Sequence, residues 1–309
     1  MTRAEIGLFT GILVVMGAGW GLTQPLSKIA VSTGYQPFGL IFWQLVIGAL
    51  CLGPVSFLRG RGLPLGPGAL RTYLVIALVG TLIPNTAGYH AITHLPAGVV
   101  SVLMSLIPLA TFPMALALGL EPFRWRSLMG LLAGLGGVLL LVVPEASLPE
   151  AVVLAWLPVC LIAVLCYAFE GNYVARWGTA GIDAIGVLFG ASLLGAVLTL
   201  PLALASGQFI PILRPWGAPD WALVASSLIH AVIYAVYVWL VGRTGPVFSV
   251  QVSYLVTGFG VTWSMLVLGE SYSPWFWAAM VLILTGVAMV QPRRKEPVAP
   301  PSAIGDGGG

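Results

Sequence analysis

Long apolar runs, separated by short breaks rich in proline and glycine, fill most of this chain. A helix needs about 20 residues to cross roughly 30 Å of hydrocarbon, and ten runs approach that length. The fifth and tenth runs are short, which predicts peripheral helices with little tilt. We therefore expect an all-α integral membrane protein with ten transmembrane spans, which are Ile6–Ala30, Pro37–Leu58, Tyr73–Ile92, Ala97–Leu118, Leu128–Val143, Ala151–Val174, Ile185–Ala205, Trp221–Val241, Val247–Leu268 and Trp275–Val290.

The layout of the fourth and fifth runs recurs in the ninth and tenth. Pro96–Pro144 and Pro246–Pro292 each continue from a proline through an apolar run to a glutamate, with a glycine sixteen residues later. Both landmarks shift by 149 residues between the copies (270 − 121 and 286 − 137). Few residues are identical, so we infer a duplicated helical hairpin from this spacing. The landmarks are Glu121 and Gly137 in the first copy, and Glu270 and Gly286 in the second.

Ten spans divide into two units of five. Because five is odd, the second unit must enter the membrane from the side opposite to the first, which makes an inverted-topology repeat. We expect the first unit in residues 1–144, the second in residues 145–291 and a disordered cytoplasmic tail in residues 292–309. Inverted repeats of this kind build alternating-access transporters around a site near the membrane midplane.

The composition supports lipid as the solvent for most of the chain. Hydrophobic residues make up 59% of the sequence and charged residues 7%, against roughly 25% charged in a soluble domain. The first run is longer than the apolar core of a cleaved signal peptide, and no small-residue cleavage site follows it. The net charge of +3 comes from short loops and the tail, so it informs orientation and does not indicate nucleic-acid binding.

Basic residues concentrate on one side of the predicted membrane protein. Eleven of the 13 Lys and Arg residues lie on one face, here called the basic face, and Lys28 and Arg214 lie on the opposite face. Such an excess is typical of the cytoplasmic side. We therefore expect a multi-pass protein of the plasma (inner) membrane with both termini in the cytoplasm. The basic-face residues are Arg3, Arg59, Arg61, Arg71, Arg124, Arg126, Arg176, Arg243, Arg293, Arg294 and Lys295.

Polar side chains recur at helical spacing in the first, third, fourth, sixth, eighth and ninth runs. Spacings of three and four keep such a set on one helix face, so we expect a shared cavity that leaves the fifth and tenth spans outside. In the alternative interpretation, hydroxyls bond their own helix and tyrosines mark the interface. The substrate-cavity candidates are Trp20, Gln24, Asn85, Tyr89, Ser105, Tyr167, His230, Tyr234, Gln251 and Tyr254.

Two ionisable residues inside the predicted spans are candidates for proton coupling. His230 lies about nine residues from the outer end of the eighth run, or roughly 14 Å deep at 1.5 Å per residue. Glu170 lies nearer the cytoplasmic end of the sixth run. The alternatives are a structural hydrogen bond for His230, and pairing of Glu170 with Arg176 or Arg243. For Lys28 we expect snorkelling to the outer interface or a salt bridge there.

Other features of the sequence add less. Pro108 interrupts the fourth run and predicts a bend. Cys51, Cys160 and Cys166 lie in apolar runs without metal-site spacing, and no P-loop or clustered catalytic set is apparent. We therefore expect neither enzymatic activity nor a cofactor or metal.

A set of residues shared between the two halves and the first run carries a resemblance to a known family. These residues are Gly19-Trp20-Gly21, Pro25, Lys28, the hairpin Pro96–Gly137 with Glu121, Pro246, Gly269-Glu270 and Gly286. Through them the chain resembles the drug/metabolite transporter superfamily and, within it, the EamA-type transporters, over roughly Ile6 to Gln291. The resemblance implies ten helices in two inverted five-helix repeats, cytoplasmic termini and movement of small metabolites, often outward. One departure is Gly119-Leu120-Glu121, because family members usually have glycine directly before the glutamate.

The sequence as a whole predicts a secondary transporter that moves a small apolar or zwitterionic metabolite, such as an amino acid or a drug-like molecule, by alternating access. Export is favoured by the resemblance alone. The expected partners are the solute, the lipid bilayer and, as a further candidate, protons. One alternative is an exchanger of phosphorylated sugars or nucleotide sugars, which would need several Lys or Arg residues in its cavity. A membrane-embedded enzyme or a structural subunit is the alternative from a different class.

Overall fold

Helices form all of the regular secondary structure in residues 3–142, 155–244 and 252–290, the ranges that the computed structural model describes. Seven helices are long and apolar enough to cross a membrane, and the fifth, ninth and tenth spans are shorter apolar helices. The predicted ten-span membrane fold is thereby confirmed. The spans in order are Arg3–Val31; Pro37–Leu58; Pro67–Ala77, Leu78–Leu82 and Ile83–His94; Ala97–Met104 and Ile107–Ala117; Trp125–Val142; Trp156–Trp177; Ala184–Ala205; Ala218–Thr244; Val252–Leu268; and Pro274–Val290.

The third span begins earlier than its apolar pattern predicts. The sequence places its start at Tyr73, whereas the helix begins at Pro67, after an extended Gly66. Proline suits the first helical turn because its φ is already helical and its missing N–H needs no partner there. The residues between Pro67 and Tyr73 therefore belong to the helix, although they are not apolar enough to be predicted as part of a span.

The middle of the third span is a π-helical turn. Residues Leu78–Leu82 adopt this wider turn, and the amide of Ile83 donates to the carbonyl of Leu78. Pro84 follows and has no N–H to donate to the carbonyl of Gly80, four residues earlier. Turns of this kind are rare and occur frequently at functional sites.

The fourth span is broken into two helices at Ser105 and Leu106. The amides of these residues bond to carbonyls three residues earlier, at 3.2 Å for Ser105 and 3.0 Å for Leu106. Pro108 lacks the amide hydrogen that the carbonyl of Met104 would receive in a continuous helix. The interruption therefore lies directly before Pro108, where the sequence predicts a bend.

The fifth and tenth spans pack against each other through glycines. A Cβ atom at Gly286 would lie 2.5 Å from the carbonyl oxygen of Gly130, and one at Gly137 would lie 2.9 Å from that of Ala279. These two glycines are landmarks of the sequence repeat. Gly137 lies sixteen residues after Glu121, and Gly286 lies sixteen residues after Glu270. Their lack of a side chain lets the two backbones approach closely.

We expect Gly286→Ala to lower the stability of the protein by about 1–3 kcal/mol, because its methyl group would meet backbone that cannot move aside. Thermal unfolding of the purified protein would measure the change. Gly136→Ala is the matched control, since a Cβ there meets only the end of the Leu282 side chain at 3.4 Å. Equal melting temperatures for the two variants would contradict this account of the helix crossing.

Two charged side chains hold the junction between the third and fourth spans on the opposite face. The ammonium of Lys28 donates to the carbonyls of Ile92, Thr93 and Leu95 at 2.5–3.1 Å. The carboxylate of Glu270 accepts from the amide of Ala97 at 2.8 Å and from that of the next residue, Gly98, at 3.1 Å. Lys28 thus caps a helix C-terminus and Glu270 a helix N-terminus. Each side chain carries a charge opposite to the partial charge at its helix end, so both interactions are favourable.

Candidate functional site

A central cavity of about 650 Å³ lies between the spans. The third span contributes the most lining residues, followed by the first, fourth and eighth, with fewer from the second, sixth, seventh and ninth. Within the described ranges, none of the lining residues comes from the fifth or tenth span. A cavity of this size can hold a solute of amino-acid or drug-like dimensions.

The structure brings most of the predicted polar residues together around this cavity. Ser105 and Tyr254 do not line it: Ser105 is buried and donates to the carbonyl of Val102 at 2.6 Å, and Tyr254 packs against the hydrophobic core. Gln251 lies outside the described residues. The predicted residues that line the cavity are Trp20, Gln24, Asn85, Tyr89, Tyr167, Glu170, His230 and Tyr234.

A hydrogen-bonded network fixes one wall of the cavity. The side-chain oxygen of Gln44 accepts from the amide of Asn85 at 3.2 Å and from the hydroxyl of Tyr89 at 3.1 Å. The oxygen of Asn85 accepts from the hydroxyl of Tyr167 at 2.8 Å. These bonds join the second, third and sixth spans and satisfy amides that have no partner in lipid. The network therefore holds these side chains in place at the cavity wall.

Aromatic rings form a second wall. The ring centroid of Trp20 lies 6.1 Å from that of His230 and 5.6 Å from that of Tyr237. Tyr234 lies between the other two residues of the eighth span, 6.4 Å from His230 and 6.3 Å from Tyr237. We call Trp20, His230, Tyr234 and Tyr237 the aromatic wall. Such faces can bind apolar groups and cations.

Several polar groups of the cavity have no hydrogen-bond partner among the described residues. The indole nitrogen of Trp20 is buried without a hydrogen bond. Within the described ranges, the side chains of Gln24, Glu170 and His230 line the cavity and make no hydrogen bond to protein. Because these groups line the cavity, they are available to form hydrogen bonds with a bound solute.

The hydroxyl groups of the cavity behave differently. Thr23 donates to the carbonyl of Trp20 at 2.6 Å, Ser27 to that of Thr23 at 2.8 Å, and Ser226 to that of Leu223 at 3.1 Å. Hydroxyls that bond back to their own helix retain only acceptor capacity toward a ligand. The packing interpretation of the serines and threonines therefore applies to these three residues.

The cavity carries little fixed charge. Glu170 is the one carboxylate and His230 the one imidazole among its described lining residues, and neither Lys nor Arg is among them. Lys28 lies beside the cavity residue Ser27, but its ammonium is bound to the three carbonyls of the span junction. In the part of the chain that the structure describes, no group of three His, Cys, Asp or Glu side chains could hold a metal ion.

Comparison with known proteins identifies the family. The model of the EamA-like transporter family matches the chain twice, over residues 6–143 and 154–291. The chain belongs to the EamA-like transporter family. The family predicted from the resemblance is thereby confirmed, and each match contains five of the ten spans.

Individual relatives of this EamA-like transporter are more distant. A WAT1-related protein of Arabidopsis thaliana is 31% identical over 108 residues, which is 34% of this chain and 32% of the relative. The chain thus matches about a third of that relative's length. A solved structure described only as "Crystal structure of protein" aligns with 90% of this chain and 97% of its own, at 22% identity and a TM-score of 0.61. At that identity the likeness supports the fold alone.

Sequence reasoning missed several residues of the site in this EamA-like transporter. Gln44 was detectable as a single amide within an otherwise apolar run, because an amide in lipid needs partners. Gly80 carries no polar signal, and its place in the π-helical turn depends on backbone geometry. Tyr237 was not missed, because its helical spacing with His230 and Tyr234 is apparent in the sequence, and it lines the cavity with them.

Proposed function

We propose that this EamA-like transporter carries a small zwitterionic or uncharged organic solute through the central cavity by alternating access. The observation that carries the proposal is the composition of the cavity wall. Aromatic rings and a fixed amide network line the cavity. Gln24, Glu170 and His230 line it too, and they have no hydrogen-bond partner among the described residues. A mostly apolar site with a few polar groups suits a small organic solute.

An exchanger of phosphorylated sugars fits this cavity less well. Phosphate recognition depends on Arg and Lys donors, and neither residue type is among the described lining residues. The carboxylate of Glu170 would also repel a phosphate group. The chemistry of the cavity therefore favours zwitterions and neutral solutes over anions.

We further propose export from the cytoplasm, coupled to protons through His230 and Glu170. His230 lies twelve residues from the start of the 27-residue eighth span, near its middle. The rings of Trp20 and Tyr234 lie beside it, and Glu170 is the one carboxylate among the described lining residues. The excess of basic residues on one face supports cytoplasmic termini and a plasma-membrane location.

Filling the cavity tests the proposed site. Gly88 lines the cavity, and a Cβ there meets nothing within 4 Å, so Gly88→Phe should fold normally and occupy the space. We expect purified wild-type protein to be stabilised against heat by amino acids or neutral drug-like solutes more than by sugar phosphates. Gly88→Phe should lose that stabilisation.

Gly258→Phe is the matched control for the cavity-filling variant. Gly258 is exposed in the ninth span, does not line the cavity, and likewise has no atom within 4 Å of a Cβ. Its response to solutes should equal that of the wild type. Retained stabilisation in Gly88→Phe, or a larger response to sugar phosphates than to zwitterions, would contradict the proposal.

A further inference from the structure

Among the described residues, the carboxylate of Glu170 lines the cavity without a charged partner. Its side chain lies against Gly80 in the π-helical turn, where a Cβ would be 2.6 Å from the nearer carboxylate oxygen. Within the described ranges it forms no hydrogen bond and no salt bridge. An ionised carboxylate in such a place is costly unless a cation or several donors accompany it.

Among the described residues, no Lys or Arg forms a salt bridge with Glu170. The sequence offers Arg176 and Arg243 as partners, and neither forms a salt bridge with Glu170 in the described part of the chain. The guanidinium of Arg243 lies over the ring of Trp239 at 5.6 Å. Arg71 donates to the hydroxyl of Tyr173 at 3.2 Å. The expected ion pair of Glu170 is therefore absent among these residues.

Two tyrosines line the same cavity as this carboxylate. Tyr167 lies one helical turn before Glu170 on the sixth span and, like Tyr234 of the eighth span, lines the cavity. Neither Lys nor Arg is among the described residues that line it. A carboxylate that shares a cavity with tyrosine rings can recognise an organic ammonium group, through charge and through the ring faces.

We propose that Glu170, Tyr167 and Tyr234 form an ammonium subsite that binds the positively charged amino group of the transported solute. This inference rests on the proposed function and narrows its substrate class to amines and amino-bearing zwitterions. It concerns what the carboxylate of Glu170 binds when it is ionised, and the proposed proton coupling through His230 and Glu170 is unchanged. Gly80 is a positioning residue, because any side chain there would displace the carboxylate from the π-helical turn.

Four small molecules that share one skeleton test the subsite. They are 2-phenylethylamine, phenylalanine, 2-phenylethanol and 3-phenylpropionate, and their affinities would be measured by calorimetry on the purified full-length protein. We expect the amine and the zwitterion to bind roughly tenfold or more tightly than the alcohol and the carboxylate, as a charged hydrogen bond would give. Glu170→Gln should remove this preference, and Glu170→Asp should restore part of it.

Matched variants separate the subsite from the cavity itself. Glu121→Gln neutralises a half-exposed carboxylate paired with Arg124 outside the cavity, and it should bind all four molecules as the wild type does. Gly80→Ala should weaken binding of the two amino-bearing molecules and leave that of 2-phenylethanol unchanged. The subsite is overturned if Glu170→Gln keeps the wild-type preference, or if the amino-bearing molecules bind no better than 3-phenylpropionate. The proposed function falls instead if Gly88→Phe leaves binding unchanged.

Discussion

Replacing Glu270 by alanine is expected to destabilise the protein by about 2–4 kcal/mol. The carboxylate accepts from the amides of Ala97 and Gly98 and from the hydroxyl of Tyr272. Hydrogen bonds to a charged group contribute more than neutral ones, and removing the acceptor leaves half-buried donors without partners. The ammonium of Lys28, which caps the neighbouring helix end, would also lose the opposite charge at the same span junction.

Thermal or denaturant unfolding of the purified variants would measure this effect. Glu121→Ala is the matched control, because Glu121 stands at the equivalent place in the first repeat. Glu121 pairs only with Arg124, at 2.8 Å, among the described residues. Half-exposed ion pairs contribute about 0–1 kcal/mol, so Glu121→Ala should change stability little. A loss as large in Glu121→Ala as in Glu270→Ala would refute the capping role.

The second large effect is expected in transport by His230→Gln. Glutamine keeps a hydrogen-bonding side chain at this position but cannot bind a proton at physiological pH. In proteoliposomes we expect the variant to lose accumulation of solute driven by a pH gradient and to retain exchange of solute between the two sides. The proton would then be carried by the imidazole, which lies in the aromatic wall with no hydrogen bond to protein among the described residues.

Tyr237→Phe is the control for that experiment, since it changes a neighbour in the aromatic wall without removing a group that titrates near neutral pH. It should retain gradient-driven accumulation. If His230→Gln accumulates solute as the wild type does, proton coupling through this residue is wrong. If His230→Gln also loses exchange, the imidazole is needed for binding, and the coupling role is equally unsupported.

The sequence was sufficient for the architecture because lipid imposes a strong pattern. A span must stay apolar for about 20 residues, and apart from the start of the third span, the predicted ends that fall on described residues lie within a few residues of the helix ends. The predicted ends Val143, Ala151 and Val247 lie outside the described residues. The early start at Pro67 escaped prediction because a proline-led first turn carries no hydrophobic signal. The π-helical turn and the break at Ser105 escaped it because both depend on which backbone hydrogen bonds form.

The candidate site was only partly predictable, since spacing reveals which residues share a face but not which way that face turns. Ser101 and Ser105 are four residues apart, and both are buried. Ser101 lies against Gly260 of the ninth span, so this face packs against a helix and does not line the cavity. The environment of Glu170 was equally hidden. Arg176 and Arg243 were plausible partners in the sequence, and only the fold places the carboxylate against Gly80.

The central claim is that the cavity opens alternately to the two sides of the membrane. A cysteine at Gly88, in a variant whose three native cysteines are replaced by alanine, tests it most directly, because Gly88 lines the cavity and has room for a side chain. The account predicts labelling by a membrane-impermeant thiol reagent from either side, and protection by a bound solute. The same cysteine at Gly258, outside the cavity, should stay unlabelled. Labelling of Gly88→Cys from one side only, unchanged by solute, would contradict alternating access through this cavity.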